Sequence, residues 1–283
     1  MKKYLHPKYL PVLVPIISVL GLLLRLWTMG SGPDAEGLYA PQTAAWVLLW
    51  LVSGITVGGI AFVSSGLKNP GRYPDNFPAS IVGAIGCAAG AVAAGYTGFR
   101  VITGSADLLA LLTGILGIVS AGALALTALA RFQGKQPNFL LHLIPCLFLA
   151  LRVFDCCKHW SNLTQSGTFL FQFFASICIM LATYQLCCFD VNLGNRRSSL
   201  LWSLSGFYFC ILAMPMGEDP VFYAGMAIWL ITNLCSVRLL KAAAPQPAAP
   251  EAPAADEAPV TETSSDVAEN LSYDELMNWL DKE

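Results

Sequence analysis

Leu108-Leu-Ala-Leu-Leu-Thr-Gly-Ile-Leu-Gly-Ile-Val-Ser120-Ala-Gly-Ala-Leu-Ala-Leu-Thr-Ala-Leu-Ala130 runs without a charged residue. A helix of about 20 apolar residues crosses the roughly 30 Å hydrocarbon core of a bilayer. No water is present there, so the backbone must close its own hydrogen bonds, and a helix does so within one segment. Asp107 precedes the run, and Arg131, Gly134 and Pro137 follow it. It therefore reads as one transmembrane span over 106–130.

Seven further runs repeat this reading, at 9–29, 43–65, 79–98, 137–154, 167–189, 199–216 and 221–240. Breakers separate them, among them Gly30-Ser31-Gly32-Pro33, Asn69-Pro70-Gly71 and Gly217-Glu218-Asp219-Pro220. The expected fold class is all-α: a polytopic transmembrane helical bundle of about eight spans. Hydrophobic residues make up 55% of the chain and charged residues 12%, about half the charged share of a soluble domain. Met1-Lys2-Lys3 before an apolar run resembles a signal peptide, but that run is long for one and no small-x-small site follows closely. It reads as a retained first span.

The charges are segregated. Residues 1–242 hold 15 Lys and Arg against 8 Asp and Glu, a net of +7; residues 243–283 hold one Lys against 10 Asp and Glu, a net of −9. The domain plan follows: a transmembrane domain over 1–241, a disordered Ala/Pro/Glu linker over 242–270, and a short amphipathic helix over 271–283. Basic residues of short loops stay on the cytoplasmic side. With Arg25 and Arg152 set aside at helix ends, Lys and Arg divide eleven to two between alternate loops. This places both termini in the cytoplasm of a plasma membrane.

Ionisable groups inside a membrane are expensive and mark function. Here they collect near span ends. On the outer side the candidates are Arg25, Arg152, Asp155, Asp107 and Asp219. Two arginines suit an anion such as a carboxylate or phosphate. The alternative is structural ion pairing, with Asp155 and Asp107 neutralising the arginines. Asp190 is expected on the inner side, close to Arg196 and Arg197. The candidate mid-membrane polar residues are Asn233, His142 and Gln172, for which interhelical hydrogen bonds compete with a ligand role. Gly86 and Gly90 in span three, and Gly54 and Gly58 in span two, form GxxxG pairs. They are expected to pack inside the bundle rather than form a homodimer face.

Asp155-Cys156-Cys157-Lys158-His159 fits no zinc spacing, and no HExxH, GxSxG or phosphate-loop pattern occurs. No catalytic residue, metal or cofactor is assigned, and nucleic acid is not an expected partner. The tail carries a different signal. Its linker is rich in Pro and acid and poor in apolar residues, as disordered chains are. Ser272 and Glu275 then form a capping box, and Leu271 and Leu276 a hydrophobic staple. Tyr273, Leu276, Trp279 and Leu280 share one face with Leu271 at its edge. Such a segment suits a helix-in-groove ligand for a cytosolic or membrane protein. The sequence thus points to a non-enzymatic sensor, anchor or assembly component in contact with membrane lipid. A small-solute transporter or channel subunit is the alternative, and a membrane enzyme at the outer cluster the third possibility.

Overall fold

The computed structural model describes residues 10–30, 44–67, 71–104, 107–160, 166–216 and 219–237. The chain divides into two units, 1–240 and 241–283. The second lies wholly outside the described residues, and with it the linker and the docking face Leu271, Tyr273, Leu276, Trp279 and Leu280.

Among the described residues the structure is helical: α1 Leu10–Gly30, α2 Ala44–Ser65, α3 Tyr73–Asn76, α4 Ile81–Gly104, α5 Leu108–Gln133, α6 Leu140–Trp160, α7 Ser166–Asp190, α8 Arg196–Ala213 and α9 Pro220–Ser236. A 3₁₀ turn, Met214–Met216, follows α8. Each expected run carries one helix, and α3 is an added single turn. Six helices (α1, α2, α4, α5, α6 and α7) are long and apolar enough to cross a membrane. At 18 and 17 residues, α8 and α9 are shorter; seventeen residues rise about 26 Å. The chain is a multi-pass membrane protein.

Helix boundaries depart from the hydropathy reading where capping chemistry overrides it. α5 runs on through Arg131 to Gln133 and stops because Gly134 adopts a left-handed conformation, φ 69°. There the amides of Gly134 and Lys135 reach back to carbonyls of the last turn, which is how such a cap satisfies them. α6 starts later than expected, because the Asn138 side chain accepts from the Leu140 amide at 3.3 Å. It then continues through Asp155 and Cys156 to Trp160. As a result His142 occupies the first turn of α6, not mid-membrane. Asn233 likewise lies in the last turn of α9, because that helix ends at Ser236. Gln172 stays within the early part of α7, half-buried.

Apolar burial cannot drive helix association in lipid, so close packing must. Gly98 of α4 faces Gly114 and Gly117 of α5: a Cβ at 98 would stand 2.6 Å from the Gly114 carbonyl oxygen. Gly86 and Gly90 press against Thr232 and Trp229 of α9, so this pair packs internally as expected. The α2 pair does not. Nothing lies within 4 Å of a Cβ placed on Gly54 or Gly58. The reason is that α2 turns Ser53, Thr56, Ile60 and Ser64 inward instead. α4 through α9 form the main bundle, with α9 against both α4 and α8. α1 and α2 pair with each other and lean on α8. Ser53 of α2 meets the Tyr208 hydroxyl at 2.9 Å, and Trp50 stacks on Phe171 of α7 at 5.1 Å.

Candidate functional site

Successive spans alternate in direction, which gathers polar side chains at two ends of the bundle. One end is organised around Asp190 and the other around Asp219.

At the Asp190 end the single turn α3 closes over the bundle. The Tyr73 amide donates to the Asn192 side chain at 3.1 Å, and the Gly194 amide donates to the Gly71 carbonyl at 3.2 Å. Asn192 has φ 61°, a conformation asparagine tolerates better than most residues. α3 thereby buries Tyr73 and Asn76, and the Phe77 ring meets Phe189 edge-on at 5.2 Å.

Beneath α3 lies Arg131, only 1% exposed. Its Nη2 donates to Asn233 Oδ1 at 2.9 Å. Its guanidinium carbon stands 4.1 Å from the Phe77 ring centre and 5.5 Å from that of Tyr73. A cation stacked on aromatic faces away from water gains about 2 kcal/mol. It also sits in the last turn of α5, the end of a helix that favours positive charge. Sequence placed Arg131 in a loop; the structure makes it a buried strut between α5, α9 and α3.

Asp190 closes α7, the end of a helix that disfavours negative charge. His142 compensates: its Nδ1 lies 2.5 Å from Asp190 Oδ2, and both side chains are fully buried. Gln136 Nε2 donates to the Asp190 carbonyl, also at 2.5 Å. Asp190 does not pair with Arg196 or Arg197, as sequence proximity suggested. Arg196 Nε donates instead to Asn76 Oδ1, and Arg197 Nε to the Leu67 carbonyl, each at 2.7 Å. The Tyr73 phenol feels both Arg131 and Asp190. Burial dominates and pushes its pKa up to about 12, so it stays a neutral hydroxyl.

At the other end Asp219 precedes α9 and is 6% exposed. Its Oδ2 accepts from the Thr97 hydroxyl at 2.7 Å and lies 3.4 Å from Arg152 Nη1; Arg100 Nη1 is 3.7 Å from Oδ1. The Arg152 guanidinium also caps the Phe222 ring at 3.9 Å. Arg25 is buried over a different ring, Phe171, at 4.9 Å. The two arginines therefore engage different aromatic neighbours, and Arg152 commits its charge to Asp219. Asp155 is half-buried on the same helix as Arg152. Asp107 pairs with Lys158 at 2.7 Å, where both are about half exposed.

The hydrogen bond from Lys158 holds the Asp107 carboxyl below its ordinary range. A depressed carboxyl adds stability above its unfolded pKa and loses it as pH falls through the folded value. Lys158→Gln should raise the Asp107 midpoint toward the ordinary carboxylate range, read by NMR titration of a carboxyl-labelled sample. An unmoved midpoint would mean that the lysine does not set it.

The arrangement sets acidic and basic side chains close together at each end. Among the described residues no group of three His, Cys, Asp or Glu side chains is placed to hold a metal ion. Sequence grouped Asp219 with its partner Arg152 but missed Thr97 and the Asp190 network. His142 and Asp190 lie 48 residues apart, and no local spacing links them. One signal was present: the apolar helical run continues past Arg131 to Phe132 with no breaker before Gly134. No family model matches the chain, and neither a curated protein nor a solved structure resembles it.

Proposed function

We propose that this protein is a non-enzymatic membrane scaffold, a sensor, anchor or assembly component, that presents residues 271–283 to a protein partner in the cytosol. The observation that carries this reading is how the bundle treats its interior hydroxyls. Ser18, Ser53, Thr56, Thr113, Ser120, Thr127 and Thr183 each donate to the carbonyl four residues back in their own helix. Apart from Ser53, which also meets the Tyr208 hydroxyl, they spend their polarity locally and line no polar lane between the charged ends. Tyr208, Trp229, Phe148 and Leu204 fill the space between helices. This supports a packed support over a small-solute transporter or channel.

The sidedness belongs to the same proposal. Arg72, Lys135, Arg196 and Arg197 belong to the segments around the Asp190 end, which the positive-inside rule makes cytoplasmic in a plasma membrane. The last described helix, α9, finishes at that end, and residues 243–283 beyond it carry a net charge of −9. By composition residues 242–270 read as a coil, and a coil of 29 residues reaches about 30 Å.

Deleting residues 271–283 should abolish recovery of a protein partner in a crosslinking pull-down from intact cells. Leu276→Asp with Trp279→Ala should do the same with the tail at full length. Recovery of every partner in both variants rejects the docking role.

A further inference from the structure

All nine cysteines are free thiols. Where one is buried in the core, as at Cys87 and Cys210, it packs as a small hydrophobe. The seam between α6 and α7 is different. Cys146 follows His142 by four residues on α6, and Cys187 precedes Asp190 by three on α7. Residues at these spacings share a helix face. One turn along each helix therefore leads from the His142–Asp190 contact to a pair of thiols. The Cys146 and Cys187 side chains are hydrogen-bonded to each other. The Cys146 thiol also donates to the Met180 carbonyl of α7 at 4.0 Å, which keeps it turned toward that helix. Exposure differs within the pair. Cys187 is buried, whereas Cys146 is half-buried next to the exposed Leu147. A small uncharged oxidant that enters the bilayer meets Cys146 first and finds a second thiol behind it. Cys188 is half-buried too, but its hydrogen bond runs to the Tyr184 phenol of its own helix.

We propose that Cys146 and Cys187 form a redox-active dithiol, which hydrogen peroxide oxidises to a disulfide between α6 and α7. The Cys146 sulfur attacks one peroxide oxygen. The O–O bond breaks, the departing oxygen leaves as water with the Cys146 proton, and Cys146 becomes a sulfenic acid. The Cys187 sulfur then attacks the Cys146 sulfur. The S–S bond forms as the S–O bond breaks, and the hydroxide takes the Cys187 proton as a second water. Two thiols have lost two electrons, and one peroxide has gained them. A lone cysteine has no resolving partner, and its sulfenic acid is open to irreversible oxidation. Here the partner thiol is already in contact. The new bond staples α6 to α7 one turn inside the His142–Asp190 contact, and a thiol reductant reopens it. The inference is independent of the docking role of the tail and of the sidedness.

The test treats the full-length protein in nanodiscs with increasing hydrogen peroxide, blocks the remaining thiols by alkylation, and maps linked peptides by mass spectrometry. The expected result is a Cys146–Cys187 crosslink, with both thiols lost together and both restored by dithiothreitol. The pair should close before the exposed Cys157 and Cys235 are consumed. Cys187→Ser should abolish the crosslink and leave a Cys146 sulfenic acid that dimedone labels. Cys146→Ser should abolish it and leave Cys187 unlabelled. Cys178→Ser, a buried thiol on the same helix, should leave the crosslink yield unchanged. The wild-type map carries the test alone if a variant does not fold. A crosslink between Cys187 and Cys188 in place of this one would overturn the assignment. So would a dimedone label on Cys187 rather than Cys146, or two intact thiols after Cys157 and Cys235 have been consumed.

Discussion

Asp190→Ala should lower the unfolding free energy by about 1–3 kcal/mol, the cost of leaving buried polar partners without their hydrogen bond. His142 would keep its place inside the bundle without the acceptor 2.5 Å from its Nδ1. Asp190→Asn should cost less, because an amide oxygen still accepts from the imidazole. The measurement is reversible unfolding in mixed micelles, followed by helical circular dichroism. A double-mutant cycle with His142→Ala isolates the pair, and residues in direct contact typically couple by 0.5–3 kcal/mol. Additive losses would mean that the two side chains do not depend on each other.

Gly98→Val should be as damaging, for a different reason. Even a methyl group at 98 meets backbone: the Gly114 carbonyl oxygen at 2.6 Å and the Ile118 amide nitrogen at 2.9 Å. Neither can rotate aside as a side chain could, so α4 and α5 must separate along their whole contact. Overpacking usually costs about 1–3 kcal/mol, occasionally more; a branched side chain against backbone belongs at or above the upper limit. Gly54→Val is the control. It sits in an equally good GxxxG pair but meets nothing within 4 Å, so its effect should stay within about 0.5 kcal/mol. Thermal stability in detergent, read by size-exclusion chromatography after heating, separates the two. Similar losses would remove the α4–α5 seam as the reason.

That contrast also marks what the sequence could and could not convey. Hydropathy located every long helix, because a bilayer imposes one length and one polarity on whatever crosses it. The GxxxG pattern named glycines able to approach a neighbour but not which helix would be there. Gly86 met α9 and Gly54 met none, because orientation about a helix axis depends on the other helices. The charged groups followed the same division. Asp219 and Arg152 were legible as residents of one end, since adjacent loops place them there. The Asp190 network was not, because Arg131, His142 and Asp190 come from three helices and converge only once these pack. Reading Arg131 and Asp190 as loop charges followed from stopping both spans where apolar composition ends. The helices continue past that limit because Gly134 and the turn at Asn192 set their ends.

Among the described residues, α1 and α2 touch almost nothing made soon after them. The α1–α2 hairpin finds its partners in Phe171 and Tyr208, the latter 155 residues downstream of Ser53. During synthesis it must therefore wait in the bilayer as an unmoored pair until α7 and then α8 leave the ribosome. Chains cut short before Phe171 would leave that hairpin adrift, a handle by which membrane quality control could recognise an unfinished copy.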